Sequence, residues 1–218
     1  SSLKGFQVGD ESVATTLEPP QVQMRTVNDA QVTCIGCHTS TPDGKYVGFT
    51  AQGPWGNVLA SIEMMSAGEQ PPFMGAGALA ALASLGEVGI HSYSGAHWNG
   101  NDRMMIAPVG TYANSELMWV DLLAQGSGQG LAFDYLARDG DPRGVGSPTW
   151  SHDGERIVYV STDAQTTGRL DNGFADLYAV PVCDTDLPHH SHISDEEDYR
   201  FQLAVSVYGY DQQRHGGG

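Results

Sequence analysis

The sequence predicts an all-β fold assembled from short antiparallel strands. Two observations support this prediction. The 218 residues include 28 glycines and 11 prolines, which suits a chain that turns often between short strands. A tight turn followed by an apolar, β-rich strand also recurs along the chain. We therefore expect repeated sheets as the dominant structure.

The turn-and-strand pattern is clearest at residues 40–49, 98–107 and 150–159, and residues 194–205 form a weaker fourth copy. Further strands are expected after the first three copies, at residues 58–62, 117–122 and 177–182. The turn residues taken as equivalent are Asp43, Asn101, Asp153 and Glu197. Their spacing shortens along the chain toward the roughly 40–45 residues of a four-stranded propeller blade.

The longer spacings require insertions. Residues 66–89 are rich in glycine and alanine and could hold one short helix, and residues 126–146 could lengthen the second repeat. The predicted fold is therefore a β-propeller of four-stranded blades with three to four recognisable repeats, at residues 32–218. An incomplete ring and an ordinary antiparallel sandwich remain alternatives.

Residues 1–31 form a separate N-terminal segment. Two consecutive prolines at 19 and 20 oppose a helix there. Residues 21–27 alternate in part between apolar and polar side chains, which is typical of a half-buried strand. We expect this strand to be the outer strand of a preceding blade.

Residues 148–161 and 175–180 resemble a repeat of the TolB-like (PD40) β-propellers, and the turn at residues 41–45 matches the same pattern. The resemblance covers roughly residues 38–205. It implies a propeller of four-stranded blades, but it implies no function, because this architecture serves many functions.

Residues 34–38, Cys-Ile-Gly-Cys-His, form the attachment pattern for c-type haem. The thiols of Cys34 and Cys37 would each add across one vinyl group of the porphyrin. The imidazole of His38 would then ligate the iron. The motif therefore predicts one covalently attached haem c.

Three alternatives for the cysteine pair are less favoured. A zinc site needs about four ligands, and the only other cysteine is Cys183. A thioredoxin-like redox pair requires a helix after the motif, whereas a Pro-Asp-Gly turn follows here. A disulfide within so short a loop would be strained.

The sixth iron ligand would decide between electron transfer and catalysis at an open site. The first candidate is His97, which lies one position after the repeat equivalent of His38. The alternatives are His91, in the loop entering the same repeat, and His192, which aligns with His38 in the fourth copy. Weaker candidates are His189, His190, Met24, Met64, Met65 and Met74.

Separately, oxygen ligands for calcium could come from Asp163, Asp171, Asn172 and Asp176, although they lack EF-hand spacing.

The charge and the motif restrict the partners and the compartment. Twenty-six acidic residues against ten basic ones give a net charge of −16, which disfavours nucleic acid and anionic membranes. No apolar run reaches the length of about 20 residues that spans a bilayer.

Haem attachment of this type occurs outside the bacterial cytoplasm, so a periplasmic or extracellular location is expected. The chain begins with Ser1 and Ser2, which we interpret as a processed product or a fragment.

The sequence thus favours an exported c-type cytochrome that passes single electrons to a redox partner, such as another cytochrome. One alternative is a haem-containing oxidoreductase with its substrate site in the propeller. The other is a propeller module that binds proteins or glycans. Three to four recognisable repeats are few for a closed propeller ring, so we also expect assembly with other chains.

Overall fold

A computed structural model describes residues 1–23, 31–52, 55–84, 88–110, 114–138, 140–141, 143–162 and 175–182. Within these residues the chain forms four antiparallel sheets. They are accompanied by one α-helix, α1 (Ala76–Ser84), and one 3-10 helix (Pro19–Gln21). The prediction of an all-β fold is confirmed.

Each sheet is formed by strands consecutive in sequence. The N-terminal hairpin contains β1 (Leu3–Gly5) and β2 (Ala14–Leu17). The first sheet contains β3 (His38–Ser40), β4 (Tyr46–Gln52) and β5 (Trp55–Ser61). The second sheet contains β6 (Ser92–Trp98), β7 (Arg103–Val109), β8 (Glu116–Asp121) and β9 (Phe133–Tyr135). The third sheet contains β10 (Gly144–Trp150), β11 (Arg156–Thr162) and β12 (Ala175–Pro181).

The turns between the first two strands of the first and third sheets are structurally equivalent, whereas the turn of the second sheet is closed by a bond that spans fewer residues, from the N–H of Asn99 to the carbonyl of Asp102 at 2.8 Å. The N–H of Thr41 donates to the carbonyl of Tyr46 at 3.0 Å, and the N–H of Ser151 donates to that of Arg156 at 2.8 Å. A second hydrogen bond recurs in all three sheets, from Ile62 to Lys45, from Leu122 to Arg103 and from Val182 to Glu155. The accepting residues Lys45, Arg103 and Glu155 each lie two positions after a predicted turn residue (Asp43, Asn101 and Asp153), so their spacing agrees with the predicted repeat. The fourth copy lies outside the described residues.

The three sheets pack face to face in sequence order. On β7, alternate side chains point to opposite faces, as a strand requires. Met105 and Ala107 join the core that faces the first sheet, whereas Met104 and Ile106 join the core that faces the third. The first strands of the sheets also contact one another, β3 with β6 and β6 with β10. The second sheet is therefore the central layer of the described structure.

The N-terminal segment covers the outer face of the first sheet. Phe49 of β4 is fully buried there in a cluster with Leu17, Val22, Val32 and Ile35. The predicted strand at residues 21–27 is wrong at its start, because Gln21 ends a 3-10 helix nucleated by Pro19 and Pro20. Val22 and Gln23 also lie outside the strands, and residues 24–27 lie outside the described part of the chain.

The two predicted insertions both contribute to the second sheet. Helix α1 lies in the first insertion, where the N–H groups of Gly75 and Gly77 donate to the carbonyls of Leu122 and Ala124 at 2.9 Å. A Cβ on either glycine would collide with backbone carbonyls, so the helix begins in close contact with this chain segment. The second insertion provides β9, the fourth strand of the second sheet.

A buried ionic cluster connects the second and third sheets. Asp141 accepts hydrogen bonds from Tyr159 at 2.9 Å and Ser161 at 2.8 Å, and its carboxylate also lies 3.3 Å from Arg138. Burial alone would raise the pKa of Asp141, but the hydrogen bonds from Ser161 and Tyr159 outweigh it and the pKa is lowered. Arg138 also pairs with Glu116 of β8 at 2.7 Å. The cluster therefore fixes the chain as it enters β10.

Gly48 lets the first and second sheets approach closely. It lies on β4, paired with Thr39 and Leu59, on the face opposite Phe49. A Cβ at this position would collide with the imidazole of His91 and the hydroxyl of Tyr93, and both residues are buried. The interface therefore requires a residue without a side chain.

We predict that Gly48→Ala destabilises the fold by about 1–3 kcal/mol, because overpacking forces His91 and Tyr93 to move. The measurement is the free energy of unfolding in urea. Gly95→Ala is the matched control, because Gly95 lies on β6 with no atom within 4 Å of an added Cβ. Equal stabilities of the two variants would contradict the close approach at Gly48.

Candidate haem-attachment site

The cysteine motif lies between the N-terminal segment and β3. Ile35, in the middle of the motif, is 6% exposed and packs in the core under the first sheet. Cys34 and Cys37 are free thiols, the first partly exposed and the second exposed. His38 begins β3 and is exposed. The motif therefore buries its apolar residue and presents its reactive groups at the surface.

Backbone hydrogen bonds hold this loop against β4 and the N-terminus. The N–H of Gly36 donates to the carbonyl of Thr50 at 2.9 Å, and the N–H of Thr50 donates to the carbonyl of Cys37 at 3.2 Å. The N–H of Ile35 donates to the carbonyl of Ser1 at 3.2 Å. The hydroxyl of Ser1 lies 3.0 Å from the sulfur of Cys34, a contact that the sequence pattern did not indicate.

The donor set of the loop fits covalent haem attachment. Thioether formation requires two reduced thiols that a porphyrin can reach, and the iron requires an imidazole from the next residue. Cys34, Cys37 and His38 are not consumed by a disulfide, and none of them is buried. The fixed backbone between them keeps the spacing of the three groups constant.

The register of the first sheet determines which face His38 occupies. His38 pairs with Phe49, and directly paired residues of antiparallel strands project to the same face. That face carries the N-terminal segment. Gly48, one residue earlier on β4, faces His91, the residue that directly precedes β6 of the second sheet. The backbone of the first sheet therefore lies between His38 and His91.

His97 is held at the interface between the second and third sheets. Its Nδ1 lies 2.6 Å from a carboxylate oxygen of Asp102, across the turn between β6 and β7. Its ring centroid lies 5.7 Å from that of Trp150, and its Nε2 would lie 2.9 Å from a Cβ on Gly154. These contacts of His97 all lie in the second and third sheets. Its role as the sixth ligand stays a prediction.

His91 is a core histidine of the interface between the first and second sheets. It is 3% exposed, and its ring centroid lies 5.2 Å from that of Tyr93. Burial lowers the pKa of His91 to about 4, although hydrogen bonding to the backbone of Gly89 and Gly48 opposes this shift. The imidazole is therefore neutral at pH 7 and enclosed by protein.

The remaining candidates lie apart from the motif or outside the described residues. Met74 is buried, and Asp176 of the calcium set pairs with Arg143 at 2.9 Å. Met64 and Met65 lie in the loop after Ser61, which pairs with Tyr46 at the turn end of the sheet. The candidates outside the described residues are His192, His189, His190, Met24, Asp163, Asp171, Asn172 and the third cysteine, Cys183. Within the described ranges, no three His, Cys, Asp or Glu side chains come together as a metal site.

No protein-family model matches the chain, and neither a curated protein nor a solved structure shows significant similarity to it. The resemblance to TolB-like propellers therefore stays a prediction. In the described part of the chain, no helix has the length and apolar character needed to cross a membrane.

We predict that His91 makes the fold sensitive to mild acid. Its pKa is about 4 in the folded chain, whereas the ordinary pKa of a histidine is 6.5, so the unfolded chain binds a proton first as the pH falls. The contribution of neutral His91 is fully present above pH 6.5 and is lost as the pH falls from 6.5 to about 4. The full loss amounts to about 3 kcal/mol.

The measurement is the free energy of unfolding as a function of pH for the native chain and for His91→Gln. As the pH falls from 6.5 to about 4, the free energy of unfolding of the native chain should drop by about 3 kcal/mol more than that of His91→Gln. The His91 ring should titrate near pH 4 by NMR. His152→Gln, at an exposed histidine, is the control for the His-to-Gln substitution itself. A His91 that titrates near 6.5 would contradict its burial as a neutral group.

Proposed function

We propose that the protein is an exported c-type cytochrome that transfers single electrons through a haem attached to a β-propeller scaffold. The observation that carries the proposal is the state of the cysteine motif. Cys34 and Cys37 are free thiols at the surface, and His38 follows directly on the first strand of a sheet. This combination of groups is what covalent haem attachment requires.

Each residue of the motif has a distinct role in this proposal. Cys34 and Cys37 form the thioether bonds, and His38 provides the axial nitrogen to iron. Ile35 anchors the loop in the core, and the hydrogen bonds of Gly36 and Cys37 with Thr50 fix its position. The bound haem would supply reversible one-electron chemistry at iron. The protein would tune the potential through the second axial ligand, the hydrogen bonding of His38 and the exclusion of water.

Three features support the propeller scaffold. The sheets are meanders of consecutive strands, one hydrogen bond next to the first turn recurs in all three, and their first strands contact one another. These are the relations expected of successive blades around an axis. A closed ring needs more blades than the three sheets that resemble them, so we propose that further blades, from this protein or from another chain, complete it.

The net charge of −16 supports a redox partner with a basic docking surface. Opposite charges accelerate encounter and orient the partners, and salt weakens the effect. Another cytochrome with a basic face would satisfy this requirement. Export to the periplasm or the cell exterior follows from where such haems are attached.

A specific observation favours a second candidate, a haem-containing oxidoreductase with an open iron position. His91 is separated from His38 by the first sheet, and the ring of His97 is held by Asp102 and Trp150. If no other residue occupies the sixth position, a substrate or small ligand could bind there.

We predict covalent haem attachment when the chain is exported together with a c-type maturation system. Cys34→Ser and Cys37→Ser should each remove one thioether, and the double variant should retain no covalent haem. His38→Ala should abolish the bands of the axially ligated iron. The measurements are the haem stain of a denaturing gel and the mass of the intact chain.

Cys183→Ser is the matched control, because this cysteine lies outside the motif, and it should carry as much haem as the native chain. An unmodified native chain, or equal haem in the double cysteine variant, would refute the attachment site.

His97→Phe tests the sixth-ligand prediction directly: the visible bands of the reduced haem protein should stay unchanged if the His97 ring keeps its contacts with Asp102 in the same turn and with Trp150 of the third sheet. Loss of the low-spin bands in this variant would instead identify His97 as the sixth ligand. Carbon monoxide distinguishes the two candidate functions in the native chain. Unchanged bands support the electron carrier, whereas a shifted Soret band supports an oxidoreductase with an open iron.

A further inference from the structure

Two adjacent methionines differ sharply from the others in exposure. Met64 and Met65 are 94% and 93% exposed, next to each other in the loop that follows β5. The other methionines in the described residues are 8% exposed or less, namely Met74, Met104, Met105 and Met118. An oxidant in solution can therefore reach two thioethers of the folded chain directly.

The loop that carries these methionines is ordered by its own hydrogen bonds. Its two ends are joined by bonds from Gly68 to Ser61 at 2.7 Å and from Ser61 to Glu69 at 2.8 Å. Inside the loop, the N–H of Ser66 donates to the carbonyl of Glu63 at 3.0 Å, and the hydroxyls of Ser61 and Ser66 lie 2.8 Å apart. None of these bonds uses a methionine side chain. The loop thus holds both thioethers at the surface without depending on them.

We propose that Met64 and Met65 form a reversible sulfoxidation site for peroxides. In each reaction one oxygen atom passes from hydrogen peroxide to the thioether sulfur. The O–O bond breaks, an S–O bond forms, the sulfur loses two electrons and water leaves. Methionine sulfoxide reductases, one for each sulfoxide epimer, reverse the change.

The fold tolerates this modification at the loop but not in the core. A sulfoxide is polar and chiral, and at a side chain surrounded by water it displaces no packing partner. The same change at Met104, Met105 or Met118 would place a polar group between packed sheets. These core methionines react only when the chain opens locally, which makes their oxidation slower.

The experiment treats the folded chain with hydrogen peroxide after N-ethylmaleimide has blocked its free thiols. Peptide mapping by mass spectrometry then follows the oxidation of each methionine with time. We expect two oxygen atoms at Met64 and Met65 at a rate at least about tenfold above that of the core methionines. The melting temperature should stay unchanged, and the two reductases should remove both oxygens.

Two matched variants make the result specific. Met64→Leu/Met65→Leu should take up two fewer oxygen atoms in the fast phase than the native chain and should melt at the same temperature. Cys34→Ser/Cys37→Ser, which cannot attach haem by thioethers, should oxidise at the same two residues, so the site is tested independently of the cytochrome proposal. Oxidation of Met104, Met105 or Met118 as fast as Met64 and Met65 in the folded chain would overturn the site. Failure of the reductases to remove the oxygens would also overturn its reversibility.

Discussion

The register between β3 and β4 is the constraint on which the candidate site depends. Pairing His38 with Phe49 places the imidazole on the face that carries the N-terminal segment, and it leaves Gly48 to face the second sheet. A shift of one residue would exchange these faces. It would push Phe49 toward His91 and Tyr93 and remove it from its cluster with Leu17. Core packing therefore fixes the position of the cysteine motif proposed to attach haem.

Local features were predictable from the sequence, and non-local ones were not. The turn at residues 41–45 is indicated by its Pro-Asp-Gly residues, and the equivalent turn around Asp153 and Gly154 repeats it. In both turns the Asp side chain accepts a hydrogen bond from the N–H two residues on, and the Gly adopts the left-handed backbone, so the signal lies within a few residues. The motif at residues 34–38 is equally local. The environment of His97 was missed, because Trp150 and Gly154 come from the next repeat. A His and an Asp five positions apart across a tight turn were a usable signal for the pair with Asp102.

The N-terminal segment shows how packing overrides a weak periodic signal. Residues 21–27 alternate as a strand does, yet Pro19 and Pro20 form a 3-10 helix at the start of that range. Val22 is nevertheless buried against the first sheet, together with Leu17. The apolar positions correctly marked contact with the core, whereas their spacing did not determine the backbone conformation that achieves the contact.

The layout of the first sheet separates the proposed redox site from the structural core. His91 and Tyr93 stabilise one face by close packing around Gly48, and the cysteine motif occupies the edge of the other face. Cys37 and His38 are exposed and take no part in the packing around Gly48. A cofactor attached at exposed residues is also accessible to a protein partner, and a net charge of −16 attracts a basic one. If a haem is attached there as proposed, surface attachment and long-range attraction together would favour electron exchange between proteins over chemistry in an enclosed pocket.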